Sequence, residues 1–121
     1  MLKEYKNVRQ IPGEARRRWF SDNYFDLIVW MSEDEIVGFQ LCYDISKAHR
    51  ALTWHQDIGF SHHRIDDGES RPGHVKASPI LLPDGQFDYE RIAQRFKQAS
   101  QFIEERIATF VHDTLMQYPL R

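Results

Sequence analysis

The stretch Phe25-Asp26-Leu27-Ile28-Val29-Trp30-Met31, followed after a charged break by Val37-Gly38-Phe39-Gln40-Leu41-Cys42-Tyr43, decides the fold. Phe25, Leu27, Val29 and Met31 alternate with Asp26, Ile28 and Trp30. Val37, Phe39, Leu41 and Tyr43 repeat the pattern. Apolarity of period two marks a strand with one buried face. A slip of one residue would carry a whole apolar row into water, so the pairing is tightly specified. For the two rows to share a face, Val29 must oppose Phe39 and Leu27 must oppose Leu41. That requires an odd-length connection, most simply the three residues Glu33-Asp34-Glu35. The same register sets Trp30 across from Gly38, where the ring can cover the missing side chain. It also sets Asp26 across from Cys42 on the less apolar face.

Working toward the N-terminus, Asp22-Asn23 suits a tight hairpin turn, and residues 16–21 and 2–11 read as weaker strands. Lys3, Lys6 and Arg9 interrupt the latter, which suits a sheet edge. Toward the C-terminus, residues 51–57 and 60–66 read as a hairpin turning at Ile58-Gly59. That turn pairs Leu52 with Ile65, Trp54 with His63 and His55 with His62. Asp66 to Gly73 reads as loop, and a short strand is expected near His74–Ser78. From Asp88 to Tyr118 the chain contains neither Gly nor Pro. Tyr89, Ile92, Phe96, Ala99, Ile103, Ile107, Phe110 and Thr114 recur every three or four residues, which marks one face of a helix. Pro119 stops it.

The expected fold is therefore α+β: an antiparallel β-meander of about five to seven strands, with one long C-terminal helix packed on one face. Residues 1–121 form a single domain, a length that closes a core without disulfides or metal. Such a helix would extend about 45 Å at ~1.5 Å per residue. A domain of this size is only about 35 Å across. The overhang, with Phe102 and Met116 off the main stripe and Trp30 and Ile28 on the second sheet face, predicts a homo-oligomer, a dimer foremost.

Composition excludes several classes. Cys42 is the sole cysteine, so no intrachain disulfide forms, which fits a reducing cytoplasmic setting. No apolar run reaches the roughly 20 residues of a membrane span, and charges occupy the place of a leader's apolar segment. The net charge of −2 is uneven: residues 1–20 carry +4, residues 21–70 carry −7 and residues 71–121 carry +1. A basic edge beside an acidic middle predicts complementary surfaces rather than general nucleic-acid binding.

Three constellations bear on chemistry. In the expected hairpin His55 faces His62 and Asp57 lies on the same side, a donor set able to hold a divalent metal and so to serve a metal-dependent enzyme. Its spacing matches no established signature, and the plainer alternative is a solvated polar strand face. Arg16, Arg17 and Arg18 beside Trp19 and Phe20 could bind an anion or nucleic acid. Strand geometry turns Arg17 away from the other two. Asp66-Asp67-Gly68-Glu69 lacks the ligand spacing of a calcium loop and reads as a turn. Catalytic triads, phosphate-cradling glycine loops and dinucleotide fingerprints are absent. No catalytic residue or cofactor is implied.

The runs Phe25-Asp26-Leu27-Ile28-Val29-Trp30, Gly38-Phe39-Gln40-Leu41-Cys42-Tyr43-Asp44 and Ala51-Leu52-Thr53-Trp54 resemble a family of small uncharacterised bacterial proteins with no assigned activity. That resemblance implies a bacterial cytoplasmic origin and supplies no site residue. The leading expectation is a small self-associating binding or interaction module without catalytic activity. The metal-dependent enzyme and the nucleic-acid binder stand as alternatives.

Overall fold

The computed structural model describes residues 1–66, 80–83 and 87–118. Among these described residues there are seven strands: β1 (Lys3–Glu4), β2 (Arg16–Ser21), β3 (Phe25–Ser32), β4 (Glu35–Tyr43), β5 (Arg50–His55), β6 (Gly59–Asp66) and β7 (Ile80–Pro83). They form one antiparallel sheet in chain order, so every neighbour in space is a neighbour in sequence. Two helices follow, α1 (Tyr89–Ala99) and α2 (Glu105–Leu115). The α+β meander is as expected.

The central pairing obeys the apolar alternation. Val29 opposes Phe39, Leu27 opposes Leu41, Trp30 opposes Gly38 and Asp26 opposes Cys42. Val29 and Phe39 are fully buried. The connection differs in detail from the three-residue loop expected. Ser32 pairs with Glu35 across a two-residue turn, and the odd residue is taken up by a bulge between Gly38 and Ile36. Glu33 adopts a φ of 57°, the left-handed value that two-residue hairpin turns of the primed type need at their first position. Parity is thus conserved, but a β-bulge rather than the turn supplies it.

At the β2–β3 corner the Asp22 carboxylate accepts from the backbone N–H groups of Tyr24 (2.8 Å) and Phe25 (2.7 Å). This Asx arrangement makes the tight turn expected at Asp22-Asn23, with neither residue at positive φ. The edge strand is shorter than the 2–11 expected, being confined to Lys3–Glu4. The strand expected near His74–Ser78 and the loop residues Asp67–Glu69 lie outside the described residues.

One sheet face carries the core. Phe20, Phe25, Leu27, Val29, Phe39, Leu41, Leu52 and Trp54 are buried beneath the helices. Phe96 of α1 meets Phe25 edge-on, with ring centroids 5.8 Å apart. Phe110 of α2 meets Trp54 at 5.5 Å.

The single long helix is corrected to two helices of eleven residues each. In an unbroken helix the Ala99 carbonyl would accept from the N–H of Ile103 four residues on. Here it accepts from Leu2 N instead, at 2.8 Å, and the Leu2 side chain is buried in the corner. Ser100 caps α1 by donating its N–H to the Phe96 carbonyl. Glu104, with extended ψ of 126°, restarts the helix. The break also turns the buried face of α2, which becomes Ile107, Val111, Thr114 and Leu115. Each helix now spans only about 16 Å, so the overhang that first suggested an oligomer is gone. Among the described residues no helix is long and apolar enough to cross a membrane.

Candidate functional site

The sheet face turned away from the helices is the most distinctive surface. Strand alternation delivers its residues in cross-strand rows. One row runs Trp19, Ile28, Gln40, Thr53, Ser61 across β2 to β6. The next runs Arg17, Trp30, Gly38, His55. Trp19, Ile28 and Trp30 are each only half-buried, and no described helix lies over them. Trp30 folds down onto Gly38. A β-carbon at Gly38 would sit 3.2 Å from Trp30 Cε3 and 2.8 Å from the Trp54 carbonyl oxygen. The glycine is therefore required by close approach of backbone and ring.

A third row carries the face's ionisable pair. Asp26 accepts a hydrogen bond from the Trp19 indole N–H and stands opposite Cys42. Burial raises the Asp26 carboxyl above its ordinary range, and the Trp19 hydrogen bond and His49 offset part of that rise. Cys42 is buried, and desolvation, reinforced by the Asp26 charge, pushes its thiol up to about 12. This is the environment of an inert structural thiol rather than a nucleophile.

The structure separates the residues of the expected metal constellation. The β5–β6 turn consists of Gln56, Asp57 and Ile58, with Gly59 at a φ of 90° pairing with His55. A three-residue turn followed by a left-handed glycine is a common hairpin solution. It moves the register by three residues, an odd number, and so exchanges the two faces of β6. Leu52 opposes His62, not Ile65. Trp54 opposes Phe60, not His63. His55 and Asp57 stay together at the exposed turn, with Nδ1 to Oδ2 at 3.9 Å. His62 lies buried in the core layer, its Nε2 at 2.5 Å from the Tyr43 hydroxyl and its ring stacked on Tyr43. Phe87 closes over both. Among the described residues, no three His, Cys, Asp or Glu side chains are grouped to hold a metal ion.

The arginine run divides as strand alternation dictates. Arg18 grips Glu4 through two hydrogen bonds of 2.8 Å and Glu104 through one of 3.1 Å, and its guanidinium is held more firmly protonated by them. It ties β1 to the start of α2. Arg16 is exposed. Arg17 turns to the other face and donates to the Arg9 carbonyl. The three do not form one basic patch.

Sequence reasoning missed a crook on the β2 side of this face. Tyr5 donates its backbone N–H to the Trp19 carbonyl (2.8 Å). The Gln10 amide both donates to the Arg17 carbonyl (2.9 Å) and accepts from the Arg17 N–H (2.8 Å). Both ends of the 5–10 segment are thereby fastened to β2. Between them Asn7 takes a φ of 59° and bends the segment out of regular strand pairing. Asn7, a residue type that tolerates positive φ, is the sequence signal for this break in a stretch otherwise read as one strand over 2–11. No protein-family model, no curated protein and no solved structure matches this chain.

Proposed function

We propose that the protein is an interaction module that self-associates through the helix-free face of its sheet, with a second copy of the chain as occupant. The observation that carries this is the adjacency of Trp19, Ile28 and Trp30 on a face that no described helix layers. Bulky aromatics at half-buried, contiguous positions favour an interface over a solvated strand surface. Charge supports the same partner. The β2 side of the face is basic through Lys6, Arg9 and Arg17, and its β5–β6 turn carries Asp57. A two-fold axis along the central strand β4 would lay β2 of one copy over β6 of the other. Opposite charges then meet at both rims. Two such sheets would stack about 10 Å apart.

Sedimentation equilibrium at micromolar concentration tests this. The parent is expected to sediment as twice its 14.5 kDa chain mass. An Ile28→Glu/Trp30→Glu variant is expected at the chain mass, with its circular dichroism unchanged. Phe102, though 78% exposed at the helix corner, lies off this face, so Phe102→Ser should leave the dimer intact. A monomeric parent overturns the proposal.

A further inference from the structure

Asp26 lies on the helix-free face, in the cross-strand row Ser21, Asp26, Cys42, Ala51, His63. It shares that face with Ile28, two residues along the same strand. It also accepts the indole N–H of Trp19. Both neighbours belong to the apolar patch, so a sheet stacked on the patch covers Asp26 too. The carboxyl is half-buried before any partner arrives, and loss of water already favours its protonated form.

Few groups can hold a carboxylate charge under such a cover. On β2 the Trp19 indole and Ser21 are neutral, and on β4 Cys42 stands opposite as an un-ionised thiol. Among the described residues, His49 of the β4–β5 connection is the one basic side chain acting on Asp26 within a chain. Arg17 pairs with Trp30, about 13 Å away along the strands at ~3.3 Å per residue, and Lys6 and Arg9 border it at that end. A two-fold axis along β4 lays each row over itself in reverse order. Asp26 then comes over Ala51 of the second copy, with Cys42 and His63 of that copy to either side. Ala51 offers a carboxylate nothing in place of the water it loses. Of the groups brought in along that row, only His63 can be positive.

We propose that self-association of this face is proton-linked through Asp26: the two sheets close over a protonated carboxyl and separate as it ionises. This rests on the sheet contact proposed above and names its regulation. A covered carboxyl keeps its proton to a higher pH than the same group in the separate chain. The dimer therefore binds more protons, is favoured on the acid side, and weakens as pH rises through the range in which the covered Asp26 ionises.

Sedimentation equilibrium of the full chain from about pH 4.5 to about pH 8 tests this. The dissociation constant of the dimer is expected to rise roughly tenfold or more over that span. Asp26→Asn cannot ionise and still accepts from the indole, so its dissociation constant should change less than about threefold. His49→Asn/His63→Gln removes the two imidazoles nearest the carboxyl and should keep the parent's pH dependence. Proton release can also be counted on the parent alone, from heats of dilution in two buffers of different ionisation enthalpy. Dissociation should release protons, up to about one per chain. A dimer equally tight throughout the range, or one that dissociates without releasing protons, overturns the inference and leaves the sheet contact standing. So does a pH dependence that survives Asp26→Asn or vanishes in the histidine variant. A chain that is monomeric at every pH removes both.

Discussion

At the scale of single residues, Asp26, Cys42 and Gly38 show how a sheet face sets chemistry. The folded chain retains the Asp26 proton over a pH range in which the unfolded chain has released it, because burial raises the folded value. Stability therefore falls as pH rises out of the ordinary carboxylate range and through the folded value, and stays lower above it. Asp26→Asn keeps an acceptor for the Trp19 indole and removes this component. Its melting temperature should rise relative to the parent at neutral pH and converge with it in acid. A pH-independent difference between the two would refute the assignment. Cys42, with its thiol near 12, should react with a disulfide reagent roughly 10³-fold more slowly in the native chain than in denaturant. Absorbance of the released thiolate reports this directly. Gly38→Ala drives a methyl group against the Trp54 carbonyl, so a loss of about 1–3 kcal/mol is expected in urea unfolding. Trp30 over Gly38 was legible because period two fixes both faces of β3 and β4 at once. The meeting of His55 with His62 was not. It hung on which residues made one turn, and placing Gly59 inside that turn instead of after it exchanged the faces of β6. Phe60 was the overlooked signal, since pairing it with Trp54 keeps an aromatic in the core layer.

At the scale of elements, the strands were read more truly than the helix. The alternating runs begun by Phe25 and Val37, and the weaker strand read over 16–21, match β3, β4 and β2 to within a residue or two. The helix break left no such trace. Neither Gly nor Pro marks residues 100–104, and the cause lies about a hundred positions away in the Leu2 N–H that claims the Ala99 carbonyl. Tertiary contact overrode local propensity. Leu2→Ala empties the corner between the helices and should cost about 2–5 kcal/mol. The loss would appear in thermal unfolding, with faster hydrogen exchange at Ser100 and Gln101. Arg18→Ala releases both Glu4 and Glu104, but Arg18 is partly solvated and the expected loss is smaller, about 1 kcal/mol.

At the scale of the whole molecule, strict chain order makes almost every strand contact a hairpin contact. The helices that cover the sheet come last. On a ribosome the strands can zip up one after another as they emerge. Until α1 and α2 are translated, however, Phe25, Leu27, Val29, Phe39, Leu41, Leu52 and Trp54 lie bare. The growing chain must therefore pass through a sticky interval that ends only with its final quarter. A fragment truncated at residue 86 should bind hydrophobic dyes and precipitate. Supplying the 87–121 segment in trans should rescue it, as a detached lid restores a box left open.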